Sequence, residues 1–302
     1  NPEEPAALAM AVEKAKETDA ELVMASDPDA DRVGAAVKNN EGEWVLLNGN
    51  QTALMFVYYL ITRWKELGKI NGKEYIVKTI VTTETIKTIA ERNGVAMYDV
   101  YTGFKWIANV MRENEGKKNY IGGGEESYGF LCEDFVRDKD AVSACVILAE
   151  IAAWAKDQGL SLYQLLQKIY VEYGFSKEKG ISVVKKGKSG AEEIEAMMKK
   201  FRENPLTEIA GSKVTYFYDY STLKGKDYAE NETVTLDMPT TSNVLQYFTE
   251  DNTKVSIRPS GTEPKIKFYC EVHSKVKSID ELPEAEKAAE EKINQIKASL
   301  GI

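Results

Sequence analysis

Asp27, Asp29 and Asp31 stand at alternate positions in Ala25–Gly34, Ala-Ser-Asp-Pro-Asp-Ala-Asp-Arg-Val-Gly. Three carboxylates this close repel, and each is driven toward its neutral form unless a cation lies among them. All-oxygen donors suit a hard divalent ion such as Mg²⁺. A solvated Asp-rich turn is the plain alternative. An EF-hand is excluded, because Arg32 occupies the position of that loop's glycine and Lys38 that of its bidentate glutamate. Arg32 instead sets a fixed cation beside the carboxylates, a pairing that phosphoryl chemistry uses.

Two further stretches carry chemistry. Gly122-Gly123-Gly124-Glu125-Glu126-Ser127-Tyr128-Gly129 combines glycines that let a ligand approach the backbone with a carboxylate and a hydroxyl two residues apart, a spacing able to grip sugar hydroxyls. It also reads as a glycine-rich turn with capping acids. Arg258-Pro259-Ser260-Gly261-Thr262-Glu263-Pro264 offers successive N–H groups, two hydroxyls and a guanidinium, an anion nest suited to a phosphate monoester. Two shorter charged stretches accompany them. Lys105 lies in the turn Tyr101–Lys105 at a helix start, and Lys139 lies in Arg137-Asp138-Lys139-Asp140, which also reads as a helix cap with a solvated rim. No Walker-type loop occurs, so a nucleoside triphosphate is not indicated.

The elements that must position these residues follow from the apolar patterning. A helix is expected over Ala6–Lys16, then core strands over Glu21–Ala25 and Val33–Val37 on either side of the Asp loop. Asn48-Gly49-Asn50 reads as a turn and domain boundary, followed by a helix from Gln51 to Gly68. Strands at Tyr75–Thr82, Ala96–Val100 and Asn119–Ile121 alternate with helices at Glu84–Arg92 and Gly103–Arg112, and helices Ala141–Lys156 and Leu162–Tyr170 follow. Strand–helix alternation predicts an open, largely parallel α/β sheet whose ligands meet the loops at the strands' carboxyl ends. Gly180–Lys188 reads as the passage into a last domain of helix Ala191–Phe201, strands around Lys213–Tyr220 and Val244–Thr249, a hairpin of Thr253–Ile257 with Lys265–Val272, and helix Pro283–Ser299.

The composition sets limits. The chain has 302 residues and a net charge of -9, with no basic stripe, which argues against nucleic acid or an anionic membrane as partner. Its longest apolar stretch, Ala141–Ala155, is interrupted by Glu150 and too short to span a bilayer. Cys132, Cys145 and Cys270 form neither a metal pair nor an even disulfide set, and no signal peptide is present, which fits a reducing cytoplasm. The single histidine, His273, is expected on a strand surface without a catalytic role.

The ordered loops Asp27-Pro28-Asp29-Ala30-Asp31-Arg32, Gly124-Glu125-Glu126-Ser127 and Arg258-Pro259-Ser260-Gly261-Thr262 resemble the metal, sugar and phosphate loops of the α-D-phosphohexomutases; Gly103-Phe104-Lys105 and Arg137–Asp140 fit the same pattern. The resemblance implies three related α/β domains and a smaller C-terminal α+β domain around one cleft. In this chain it places the end of the second domain at 1–47, the third at 48–178 and the last at 179–302. It implies interconversion of hexose 1- and 6-phosphates through a phosphoserine and a bisphosphorylated sugar such as glucose 1,6-bisphosphate. Asp27, Asp29 and Asp31 would hold Mg²⁺, and Arg32 would steady the transferring group. Gly124, Glu125 and Ser127 would bind sugar, while Arg258, Ser260, Gly261 and Thr262 would anchor the other phosphate. Lys105 or Lys139 would orient phosphate or assist proton transfer.

The family's nucleophile is a Ser followed by His in its first domain, and no Ser-His pair occurs here. The expectation is therefore a piece whose N-terminal domain, the partner that carries the serine, is absent, and which is inactive alone. Glu125–Gly129 looks like the glucose-type loop, Gly129 replacing the His of dual-specificity members; mannose and pentose phosphates are the alternatives. A non-catalytic sugar-phosphate binder, or a phosphatase using Asp27 as nucleophile, would be a different class of protein.

Overall fold

A computed structural model describes residues 1–302 apart from Lys186, Thr262 and the side chain of Lys188. Two units divide the chain, Asn1–Gly174 and Phe175–Ile302.

In the first unit, helix α1 (Pro5–Glu17) opens on a proline, whose missing N–H costs nothing at a helix start. It buries Leu8 and Ala15 against Val23 and Ala36. Those two residues belong to strands β1 (Leu22–Ser26) and β2 (Val33–Lys38), which flank the Asp loop as expected. The strands pair antiparallel, with Ser26 opposite Val33, and β3 (Trp44–Leu47), not foreseen from sequence, completes the sheet in the order β1-β2-β3.

Asn48-Gly49-Asn50 is not a turn. Asn48 caps helix α2 (Gly49–Glu66): its side chain accepts from Gln51 N at 2.8 Å, and its own N–H donates to Gln51 Oε1 at 3.0 Å. This reciprocal box satisfies two backbone donors, so helix begins where composition alone suggested a break. Residues Ala53–Ile61 of α2 are all buried.

Strands β4 (Glu74–Thr79), β5 (Ala96–Val100), β6 (Asn119–Gly124) and β7 (Phe130–Cys132) form a sheet in the order β5-β4-β6-β7. The first three run parallel and β7 antiparallel. Around it run α3 (Thr85–Arg92), α4 (Phe104–Asn114), α5 (Ala141–Asp157) and α6 (Leu162–Tyr173).

The three glycines expected in an open ligand loop lie instead within β6, buried. A Cβ at Gly123 would overlap the Val77 carbonyl oxygen and stand 2.7 Å from Tyr120 Oη, and one at Gly122 would come within 3.1 Å of Leu60 and Phe130. Internal packing, not ligand approach, excludes side chains here.

The second unit begins with β8 (Phe175–Val184), so most of the stretch expected as a linker is a strand, paired with β15 (Lys265–Ser274) along its whole length. The main sheet runs β12-β11-β10-β13-β14-β15-β8, all antiparallel, with β9 (Glu208–Ile209) paired to β10 (Ser212–Asp219). The remaining strands are β11 (Lys224–Asp227), β12 (Glu232–Thr235), β13 (Leu245–Thr249) and β14 (Lys254–Pro259). Helices α7 (Gly187–Glu203) and α8 (Leu282–Leu300) pack on the sheet and close a core containing Met198, Tyr247, Ile257, Phe268 and Ile296.

His273 is not a loose surface residue. Its Nε2 lies 2.7 Å from Glu271 Oε1, and Lys254 Nζ lies 2.9 Å from Glu271 Oε2. Burial pushes the imidazole pKa down, but Glu271 and Glu178 outweigh burial and the opposing Lys254 charge and hold it above its ordinary value.

Two outcomes follow. Gly123→Ala lowers the stability of residues 1–174 by about 1–3 kcal/mol through overpacking. Fluorescence of Trp44, Trp64, Trp106 and Trp154, all in that unit, reports the unfolding. A raised imidazole pKa stabilises the fold fully below the unfolded value of about 6.5, and that stabilisation disappears as pH rises through the folded pKa. The sole His273 resonance should thus titrate above 6.5 and the second unit should weaken toward alkaline pH, both effects removed by Glu271→Gln.

Candidate active site

The Asp loop is docked onto the segment that follows β6. Val33 N donates to Tyr128 O at 3.1 Å, Arg32 and Gly129 form an antiparallel bridge, and Ala141 N at the start of α5 donates to Ala30 O at 2.9 Å. Ala30 and Tyr128 hold left-handed backbones, with φ of 57° and 70°. Such conformations cost side-chain-bearing residues about 1–2 kcal/mol and persist where surrounding contacts over-determine them.

Within the loop, Asp27 Oδ1 accepts the N–H groups of Asp31 and Arg32, both at 3.1 Å. Burial raises the Asp27 pKa, yet these N–H groups, the Asp31 side chain and the Arg32 charge together hold it below its ordinary value. Arg32 Nε lies 3.9 Å from Asp27 Oδ2 and 3.8 Å from Asp31 Oδ1, and its Nη1 donates to Glu3 Oε1 at 3.1 Å. Lys139 Nζ reaches Asp31 Oδ2 at 2.7 Å and lies 6.0 Å from the centre of the Phe104 ring. Burial would lower its pKa, but Asp31 and Asp138 overcome this and raise it, so Lys139 is a cation at neutral pH. Asp140 caps α5 by accepting from Ser143 N at 2.8 Å, while exposed Arg137 pairs with Glu115 at 3.2 Å.

Glu125 is 6% exposed, and its Oε1 accepts the N–H of Gly103 at 2.7 Å. The Gly103 turn and the Glu125–Gly129 segment are therefore tied to each other. Gly103 adopts φ 109° ahead of α4, a conformation that requires glycine. Ser127 is half-buried, and Gly124 is the buried last residue of β6. Lys105 stands exposed on the first turn of α4, its ammonium 5.0 Å from the Trp106 ring centre. The structure thus joins Asp27, Asp31, Arg32 and Lys139 directly, and leaves exposed Asp29 and Lys105 at the periphery of those contacts.

In the second unit, Arg258, Ser260, Glu263, Lys265 and Lys267 line a recess of about 200 Å³. Ser260 N donates to Lys265 O at 2.8 Å, and its Oγ accepts from Glu263 N at 3.3 Å. Lys265 pairs with Glu263. Arg258 and Lys267 sit directly opposite on β14 and β15, an unfavourable like-charge pair that a bound anion would relieve. Lys265 and Lys267 escaped the sequence reading; their i, i+2 spacing just after Pro264 puts both on the face of β15 that carries Arg258's partner, and was the available signal. Gly261 is exposed, and Thr262 lies outside the described residues.

Among the described residues no group of three or more His, Cys, Asp and Glu side chains is already gathered as a cluster. However, Asp31 Oδ1 is buried without a hydrogen-bond partner, and its carboxylate interacts with that of Asp27. A buried carboxylate oxygen without a donor, close to a second carboxylate, fits a hard cation. Asp27 also serves as the loop's backbone cap, a structural duty that weighs against its use as a nucleophile. No helix among the described residues is long and apolar enough to cross a membrane.

Three family models match the sequence in chain order: Phosphoglucomutase/phosphomannomutase, alpha/beta/alpha domain II, over residues 1–42; alpha/beta/alpha domain III over 48–173; and the C-terminal domain over 182–289. A phosphoglucomutase of Staphylococcus aureus (strain MRSA252) is 38% identical over 269 residues, covering 89% of this chain and 48% of that protein. One from Staphylococcus haemolyticus is 34% identical over 273 residues, covering 90% and 49%. The chain thus spans about half the length of these relatives. A solved phosphoglucomutase/phosphomannomutase family protein of Burkholderia thailandensis shares the fold at TM-score 0.62 and 18% identity, over 99% of this chain and 51% of its own.

Asp27→Ala strips an acceptor from two backbone donors and should destabilise residues 1–174 by about 1–3 kcal/mol, with Asp27→Asn recovering part because its amide oxygen still accepts; tryptophan-detected urea unfolding checks both. Because the Asp27 pKa is depressed, its contribution is present above about pH 4 and lost as pH falls through the folded value.

Proposed function

The chain belongs to the phosphoglucomutase/phosphomannomutase family, the α-D-phosphohexomutases, and from that premise we propose that it supplies the metal, sugar and phosphate loops of an enzyme interconverting glucose 1-phosphate and glucose 6-phosphate. The observation that carries this reading is the docked pair of loops, which sets Asp27, Asp31, Arg32 and Lys139 beside the Glu125–Gly129 segment.

Phosphoryl transfer asks mainly for positioning and for positive charge around the moving group. Arg32, held between Asp27, Asp31 and Glu3, presents a guanidinium of fixed direction. Lys139, a cation throughout the neutral range, attracts and orients a phosphate; a raised pKa makes it a poor general base. Glu125 and Ser127 take ring hydroxyls, which look alike when the sugar turns end for end as its 1,6-bisphosphate. Arg258 and Ser260, with Gly261 and Thr262, grip the phosphate that is not transferred, and Lys265 and Lys267 add charge to that recess. Asp27, Asp29 and Asp31 would hold Mg²⁺, which when bound supplies charge neutralisation at the transferring phosphate.

No Ser-His pair lies within the 302 residues, so the reading takes the phosphoserine from outside them, and the chain by itself binds but does not turn over. Gly129 in the sugar loop supports glucose over mannose or pentose phosphates, and the phosphoglucomutase relatives support it further.

A mutase assay on the complete protein and on these 302 residues tests the proposal. Activity in the complete protein alone, abolished by chelation and cut about 100-fold or more by Arg32→Met, is the expected result. Binding of glucose 6-phosphate with no turnover in either would make the protein a sugar-phosphate binder.

A further inference from the structure

Glu126 sits between the two residues assigned to sugar hydroxyls, and both its carboxylate and its N–H meet threonine hydroxyls. Thr79 Oγ1 donates to Glu126 Oε2 at 3.1 Å, Glu126 N donates to Thr82 Oγ1 at 3.1 Å, and the two threonine oxygens lie 2.8 Å apart. Thr82 Oγ1 also lies 3.5 Å from Glu126 Oε2, a longer contact, and only one proton order uses the three shorter bonds. The Glu126 N–H goes to Thr82, the Thr82 hydroxyl to Thr79, and the Thr79 hydroxyl to the Glu126 carboxylate. This closes a ring in which each donor polarises the next. Both threonines are 0% exposed, so competing water is kept from their hydroxyls.

The other side of the loop is also closed. A Cβ on Gly49, the first residue of α2, would overlap the Glu126 carbonyl and lie 2.8 Å from Tyr128 N. Asn50 next to it accepts from Thr83 N at 2.9 Å, tying α2 to the segment that carries Thr82. Glu126 is thus fixed in both peptide and side chain, between the end of β4 and the start of α2.

We infer that Thr79 and Thr82 are positioning residues for sugar recognition, aiming Glu125 and Ser127 at ring hydroxyls by locking the peptide between them. The inference rests on the reading of Glu125–Ser127 as the sugar loop. It makes affinity for the sugar ring, but not for phosphate alone, depend on two hydroxyls that touch no ligand.

The test uses the complete protein, with glucose 6-phosphate and inorganic phosphate as separate probes. Thr82→Val, nearly isosteric, should weaken glucose 6-phosphate binding about tenfold, one hydrogen bond to a charged network, and leave inorganic phosphate binding unchanged. Thr82→Ser should restore the sugar affinity. Thr79→Val is measured in the same way and serves if Thr82→Val does not fold by tryptophan fluorescence. Wild-type glucose 6-phosphate affinity in a folded valine variant overturns the positioning role while leaving the sugar loop standing. Equal loss for both probes overturns it too, because the effect is then not confined to the sugar. Failure of the unaltered protein to bind glucose 6-phosphate at all removes the sugar-loop reading and this inference with it.

Discussion

The first unit depends on one constraint: a short carboxylate-rich connection must be held still against a second backbone. The Val33–Tyr128 and Ala141–Ala30 hydrogen bonds do this with main-chain groups, whose partners do not change when side chains move. Left-handed backbones at Ala30 and Tyr128 are the local cost. In return, the loop between β1 and β2 and the segment between β6 and β7 become one surface, although nearly a hundred residues separate them in sequence.

Electrostatics follows from that geometry. Asp27 and Asp31 stand close together, and the fold surrounds them with two backbone N–H groups, the Arg32 guanidinium and the Lys139 ammonium. Lys139 comes from beyond β7, so its charge arrives only because the loops are docked. Isolated surface pairs of this kind contribute little. Here the charges are partly buried and share partners, which makes removal of any single member costly to the others. The same density of fixed charge leaves one Asp31 oxygen without a hydrogen bond, the feature a hard cation would use.

The second unit solves a different problem with a different fold. The β14–β15 hairpin gives the Arg258–Pro264 turn a rigid stem on either side. Arg258 and Lys267 face each other across that stem, a like-charge pair at close range. At the other end of β15, Glu271 pairs with both Lys254 and His273, a charge cluster internal to the sheet.

Much was legible in the residue order. The strands beside the Asp loop, the parallel core around β4 and the main helices followed from apolar periodicity. These are local properties, carried by neighbours along the chain. The sequence misled where a local pattern served a distant contact. The glycines of β6 looked like a ligand loop, but Val77, Leu60 and Phe130 require their missing side chains. Asn48-Gly49-Asn50 looked like a turn, but Gln51 completes a cap. Gly180–Lys188 looked like a linker, but β15 offers a whole strand's hydrogen bonds to most of it. Which lysine meets the carboxylates, how Glu126 is locked and what His273 touches depend on partners brought near only by folding. The chain alone therefore determined which chemical groups are present and in what order; tertiary structure decided which of them share a hydrogen bond or a field, because those interactions act through space.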